Sequence, residues 1–186
     1  MAIRYRASCP GKQNLVFSYA PNPVSTGTMV ADGRNGLLWD AHLDNNDMQY
    51  AIRIRAINKG GSLSNEGGKL TVKGADEVVF LISADTDYKA NNNPDYNDPK
   101  TYVGVDPLAT TQDWVSKAEG KGYVQLLDEH YKDYSRLFNR VSLNLNDVDK
   151  ANDMPIDQRL ANYRKGAKDF YLEQLYYQFG RYLLIA

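Results

Sequence analysis

A chain of 186 residues that is 42% hydrophobic is long enough to bury one core or two. Its net charge of -1 excludes the electrostatic footprint of a nucleic-acid or anionic-membrane binder, and no run of about 18 apolar residues offers a membrane span. The single cysteine, Cys9, rules out an internal disulfide framework and reads as a small buried hydrophobe.

The opening Met1-Ala2-Ile3-Arg4-Tyr5-Arg6 lacks the apolar stretch of a signal peptide. Asn14 to Tyr19 is the first strand candidate, with Leu15, Phe17 and Tyr19 on one face, and Pro21 and Pro23 end it. Asp32 to Gly36 is a turn cluster. Leu37 to Leu43 then alternates Leu37, Trp39, Ala41 and Leu43 against Leu38, Asp40 and His42. In Tyr50 to Ile57 the same period places Ile52 and Ile54 inward and Arg53 and Arg55 toward water. Gly67 to Lys73 reads as a short strand with Leu70 and Val72 inward. Asp76 to Ala84 is apolar on both faces, which predicts a central strand covered on both sides. Several short, turn-punctuated strands argue for a sandwich.

Asp85 to Pro107 is a long polar connection rich in Asn, Asp, Pro and Tyr. Thr111 to Gly122 predicts a helix capped by Thr110 or Thr111 that buries Trp114, Val115 and Ala118. Tyr123, Leu127, Tyr131, Tyr134, Phe138 and Val141 fall three and four apart, with Leu126, His130 and Leu137 beside them, a wide helical stripe. The period then changes to two: Val141, Leu143 and Leu145 alternate with Ser142, Asn144 and Asn146, which predicts a return strand. After a polar linker from Asn146 to Asp153, Pro155 suits a first helical turn. Ile156, Leu160 and Tyr163 form a stripe there, and Gly166 is a C-cap. Asp169 caps a last helix whose Leu172, Leu175, Tyr176, Phe179, Leu183 and Ala186 make one stripe, with Tyr177, Gly180 and Leu184 leaving it apolar or small on most of its circumference. Such a helix expects neighbours on several sides. The fold class is therefore α+β: an antiparallel β-sandwich part over 1–110, a helical linker with return strand over 111–150, and helices over 151–186.

The segment His130 to Leu145, with Met154-Pro155-Ile156-Asp157-Gln158-Arg159-Leu160 and Leu175 to Ala186 after it, resembles glycoside hydrolase family 95, the α-L-fucosidase family. Upstream, Gly67 to Asp76 and Thr86-Asp87-Tyr88 resemble the amino-terminal domain of the same family, so the likeness runs from about Gly36 onward. The resemblance implies an amino-terminal β-sandwich of supersandwich type, a helical linker, a large (α/α)6 barrel and a carboxy-terminal β-domain. It implies inverting hydrolysis of α-L-fucosides, and in some members α-L-galactosides, from plant or host glycans. The family's general acid Glu and its Asn/Asp pair lie in the barrel, and the expectation is that this chain reaches only the barrel's opening helices. No catalytic residue is assigned on that ground, the chain alone is expected to be inactive, and no metal or other cofactor is expected. A periplasmic or secreted location is implied by the resemblance alone.

The residues themselves offer further candidates. Glycoside hydrolysis needs an acid and a base across the scissile bond, and Asp76/Glu77, Asp85/Asp87 and Asp128/Glu129 are paired carboxylates. Adjacent strand residues point to opposite faces, so Asp76 and Glu77 do not share a side, and solvated or turn-forming roles are the expectation for all three pairs. His42 and His130 have no metal-ligand spacing, and His130 reads as packed in the helical stripe. Asp85, Asp87, Asn91, Asn93, Asp95, Asn97 and Asp98 form an oxygen-rich loop, yet it lacks the central Gly and terminal Glu of an EF-hand and reads as turns. Tyr88, Tyr96 and Tyr102 are candidates to stack on sugar rings, against ordinary loop packing. The expected partner is a glycan, through the whole enzyme. The alternative is a stand-alone β-module that binds glycan or another subunit, with the final helix as a docking or self-association surface.

Overall fold

The computed structural model of the protein describes residues 2–6, 10, 13–145 and 153–185. Cys9, most of the linker from Asn146, and Ala186 lie outside the described residues. Contacts divide the chain into two units, Met1–Leu126 and Leu127–Ala186.

In the first unit, eight strands make two antiparallel sheets. They are β1 (Ala2–Arg6), β2 (Gln13–Ser18), β3 (Ser25–Ala31), β4 (Gly36–Leu43), β5 (Gln49–Lys59), β6 (Ser62–Glu66), β7 (Lys69–Ala75) and β8 (Glu77–Thr86). The larger sheet has the order β1-β8-β5-β4-β3 and the smaller one β2-β7-β6. Period-two alternation along these strands separates their two faces. Leu37, Ile54, Ala56, Val78 and Phe80 of the larger sheet meet Leu70, Val72 and Ala75 of the smaller one in a buried core. Leu15 and Phe17 join it, and the Phe17 and Phe80 rings lie 4.8 Å apart.

The opposite face of the larger sheet is also covered. Helix α1 (Pro107–Glu119) lays Val115 on Val79 and Leu81, with Ile57, Ala118, Tyr123 and Leu126 around them. Ser83 donates its hydroxyl to the Thr111 carbonyl at 2.9 Å. This third layer explains why β8 is apolar on both faces, as its sequence requires. It also corrects the reading of β5: Arg53 and Arg55 do not face water but are buried to 6% and 8% exposure. Asp32 pairs with both, its Oδ2 lying 2.7 Å from Arg53 and 2.9 Å from Arg55, with Glu119 at 3.5 Å from Arg55 Nε.

Helix α1 begins four residues earlier than Thr111. Asp106 is its N-cap, accepting the Leu108 N–H at 2.9 Å, and Pro107 occupies the first helical position, where a missing N–H costs nothing. That start turns Pro107, Thr111 and Val115 inward and leaves Trp114 about half exposed, correcting the expected buried face.

Helix α2 (Tyr123–Phe138) follows. In the second unit its carboxy-terminal part stacks Tyr134 on Phe138 and sets Tyr134 5.6 Å from Tyr182 of α4 (Phe170–Ile185). Arg181 lies 4.4 Å over the Phe138 ring and donates to the Phe138 and Val141 carbonyls. The expected return strand does not form: 141–145 has no ladder partner among the described residues, and the Leu145 N–H goes to the Gln174 side chain at 3.1 Å. The alternation of Leu143 and Leu145 is real, since both are half-buried, but no neighbouring strand is there to pair with.

Helix α3 (Ile156–Arg164) ends in a Schellman turn, with Gly166 at φ +94°, the Gly166 N–H on Tyr163 O and the Ala167 N–H on Asn162 O. Its buried residue is Arg159, not the stripe of Ile156, Leu160 and Tyr163, all of which are exposed. Arg159 is held by both carboxylate oxygens of Asp169 at 2.9 and 3.1 Å and by the Met154 carbonyl, and it lies over the Tyr171 ring. Along α4, Tyr176, Phe179, Leu183 and Leu184 are exposed. None of the described helices is long and apolar enough to cross a membrane.

Candidate functional site

The paired carboxylates are dispersed rather than convergent. Asp76 sits in the β7–β8 turn, its N–H on the Lys59 carbonyl at 2.8 Å, and Glu77 opens β8. Asp85 caps the Thr86 N–H at 2.9 Å, whereas Asp87 is buried and accepts the Gln49 N–H at 3.1 Å, so the two serve different backbone groups. Asp128 is tied to Lys132 one helical turn on, at 2.7 Å, on an exposed face with Glu129. None of these pairs is placed as an acid and base across a common space. His42 is half-buried on β4, and His130 is exposed and stacked on Tyr134 at 5.9 Å. Among the described residues, no group of three His, Cys, Asp or Glu side chains converges as metal ligands.

The loop from Asp85 to Pro107 is built by its own polar residues. Asn91, Asp95 and Asp98 each accept the N–H two residues on, Asn91 also donates to the Thr101 carbonyl, and Tyr88 bridges Val103. These are Asx turns, the local bonding that such residues prefer. The loop stacks Tyr88 on Tyr102 at 5.9 Å and 19°, while Tyr96 is 85% exposed. Burial first, then Tyr96 and Tyr88, pushes the Tyr102 phenol above its ordinary value.

A concavity that motif reading did not find lies in the first unit. It has a volume of about 430 Å³ and is lined by the aromatic residues Tyr19 and Tyr50, by apolar Leu43, Met48 and Ile52, and by Thr86. Ile52 reads as inward by period, and Tyr19 and Leu43 as members of apolar strand faces, but nothing local in sequence announces that a gap remains above them.

Comparison with known proteins agrees with the two-part layout. Residues 1–91 match the family model for the glycosyl hydrolase family 65 N-terminal domain, and residues 122–186 match that for the glycosyl hydrolase family 95 catalytic domain. A probable alpha-fucosidase A of Aspergillus niger is 29% identical over 180 residues, covering 95% of this chain and 22% of its own length. Alpha-L-fucosidase 2 of Arabidopsis thaliana is 32% identical over 152 residues, 77% of this chain and 17% of its own length. A probable alpha-fucosidase A of Aspergillus oryzae is 28% identical over 130 residues, 68% of this chain and 18% of its own. The chain thus spans about a fifth of the length of the curated relatives it matches. With two sheets leading into helices, and with these matches in that order along it, the chain is similar to the glycosyl hydrolase family 95 catalytic domain over residues 122–186 and to alpha-fucosidases over most of its length.

Proposed function

We propose that this chain is the supporting part of an inverting α-L-fucoside hydrolase: a β-sandwich domain, a helical linker and the opening helices of a barrel whose remainder holds the acid and base. The observation that carries the reading is the match of residues 122–186 to a catalytic-domain family model, together with 29% identity over 180 residues to an alpha-fucosidase. The site geometry supports it from the other side. Inversion requires two carboxyl groups roughly 6.5–9.5 Å apart with a water between them, and the carboxylate pairs of this chain cap backbone N–H groups or bind lysine instead. The chain alone is then inactive. Its parent acts on fucosylated plant or host glycans outside the cytoplasm, in the periplasm or after secretion.

The apolar circumference of α4 adds a second consequence. Tyr176 at 78% and Leu184 at 89% exposure leave large apolar surface in water, and the isolated chain self-associates through it. Sedimentation of the chain should show concentration-dependent association that Leu184→Glu weakens; a strict monomer at all concentrations contradicts this. The hydrolase reading is tested by proton NMR of the sugar released from an aryl α-L-fucoside by the protein of the complete reading frame. The β-anomer is expected first, and initial release of the α-anomer contradicts inversion.

A further inference from the structure

The turn from β3 to β4 runs Asp32-Gly33-Arg34-Asn35-Gly36 and so contains the dipeptide Asn35-Gly36. Asparagine before glycine is chemically labile in a mobile chain, because no Cβ shields the glycine nitrogen from the carbon of the side-chain amide. Packing requires the glycine here: a Cβ on Gly36 would lie 2.6 Å from the Asp32 carbonyl oxygen and 2.9 Å from that of Ile54. The labile pair is therefore built into the fold.

The folded turn holds the amide away from reaction. Asn35 Nδ2 donates to the Ala56 carbonyl at 3.1 Å and to Glu119 Oε1 at 3.2 Å, and Asn35 Oδ1 accepts from Arg55 Nη1 at 3.3 Å. Its backbone carbonyl takes the Ala56 N–H at 2.7 Å. The side chain and carbonyl of Asn35 thus both engage β5. In a trans peptide the N–H points opposite to the preceding C=O. The Gly36 N–H is therefore directed toward β3, as is the Gly36 carbonyl, which accepts the Asp32 N–H at 2.9 Å. Cyclisation needs the Asn35 amide turned back onto the Gly36 nitrogen, and all three side-chain bonds must break first. One of them belongs to Glu119, the last residue of α1, the helix that covers this face of the larger sheet.

We infer that Asn35 is a latent modification site, closed while α1 is docked and open to deamidation when Glu119 leaves. The Gly36 backbone nitrogen, losing its proton to water, attacks Asn35 Cγ; the Cγ–Nδ2 bond breaks and ammonia departs. Water then opens the cyclic imide at either carbonyl to give aspartate or isoaspartate. Water is the one co-reactant, and nothing is oxidised or reduced. The product does not fit back. An oxygen in place of Nδ2 faces the Ala56 carbonyl and the Glu119 carboxylate, three acceptors with no proton among them. Arg55 keeps its contact with the other oxygen but already serves Asp32 and Glu119. Isoaspartate also adds a carbon to the main chain where the Asn35 carbonyl meets the Ala56 N–H. Conversion thus marks chains in which α1 has opened, and it holds them open.

The test is peptide mapping by mass spectrometry of the intact chain kept at mildly alkaline pH, with and without guanidinium chloride. It is run beside Glu119→Ala, which removes one Nδ2 partner at a solvent-exposed position. Conversion at residue 35 should be on the order of a hundredfold slower in the folded parent than in denaturant, three hydrogen bonds at a factor of about five each. Without denaturant, Glu119→Ala should convert several-fold faster than the parent. Asn35→Asp, made directly, should melt lower by on the order of 2–8 °C. It should also speed amide exchange at Val115 and Ala118 of α1 while leaving Val72 of β7 unchanged. Equal rates with and without denaturant, or in the parent and Glu119→Ala, overturn the gating. Absence of conversion at residue 35 in denaturant overturns the site itself. Parental melting and exchange in Asn35→Asp overturn the misfit of the product.

Discussion

Asp32 holds together the polar side of the first unit. Its Oδ2 serves Arg53 and Arg55 at 2.7 and 2.9 Å, and its backbone carbonyl takes a further bond from Arg55 Nη1 at 2.6 Å. Removing one partner of a buried ion pair strands the other charge, at a cost of about 3–5 kcal/mol. Asp32→Ala should therefore lower the unfolding free energy by that much, read as a lower urea midpoint at an unchanged m-value, whereas Lys117→Ala, which breaks an exposed pair with Asp113, should cost under about 1 kcal/mol. Asp169 gives the pH dependence of the second unit. Burial pushes its carboxyl up, but the Leu172 N–H, the Arg159 guanidinium and the Tyr171 N–H together outweigh that and hold it below its ordinary value. A depressed folded pKa contributes stability that is fully present above the unfolded value, about 3.9, and is lost as pH falls from there through the folded pKa. Melting of the α3–α4 region, followed by circular dichroism, should fall off below about pH 4 in the parent and be flatter in Asp169→Asn, which is less stable at neutral pH. An identical acid profile in both proteins contradicts this role for Asp169.

At the level of elements, the turns of the smaller sheet separate two kinds of glycine. Gly61 at φ +65° joins β5 to β6, and a Cβ there would lie 2.2 Å from the Lys73 carbonyl oxygen. Gly67 at φ +57° joins β6 to β7 with Gly68, and a Cβ on Gly67 meets nothing within 4 Å. Gly61→Ala should cost on the order of 2 kcal/mol or more. Gly67→Asn should be neutral or stabilising by a few tenths, because Asn tolerates this conformation and Asn-Gly favours a two-residue hairpin. Thermal denaturation of both variants checks the contrast, and equal losses would falsify it. The same elements show what was legible in advance. Strands β2, β4, β5 and β7 announce themselves by alternation, because one face of each meets the core, and β8 by an apolar run that is covered on both faces. Strands β3 and β6 do not: Ser25–Ala31 and Ser62–Glu66 are edge strands with few apolar residues, and their pairing partners define them. Arg53 and Arg55 followed the rule for a sheet wet on one side. Helix α1 lies over that face, and a covering helix is a tertiary fact that period cannot report. On α3 the apolar stripe lost to an ion pair for the same reason, since Arg159 finds its acid ten residues away. Of the concavity, Tyr19, Leu43 and Ile52 were readable as members of apolar strand faces; that they line a common gap is a tertiary fact that period does not report.

At the scale of the whole molecule, the two units divide the labour that their sequences suggest. The first has a complete core on one face of its larger sheet and a helix on the other. The second holds α3 and α4 largely through side-chain bonds: Arg159 with Asp169, Tyr163 with Glu173 at 3.0 Å, and Arg181 with Phe138 and Val141. No residue of α2 or α4 is buried, so their apolar surface is available for further structure. The proposal that this chain supplies support and surface rather than the acid and base rests on its covering about a fifth of the length of its alpha-fucosidase relatives and on its scattered carboxylates. The most direct test compares hydrolysis of nitrophenyl α-L-fucoside by the purified chain with hydrolysis by the folded product of the complete reading frame that contains it. No release above buffer from the chain and clear turnover by the complete product is the predicted result. Turnover by the chain alone, or a folded complete product that leaves α-L-fucosides intact while cleaving another glycoside, contradicts it.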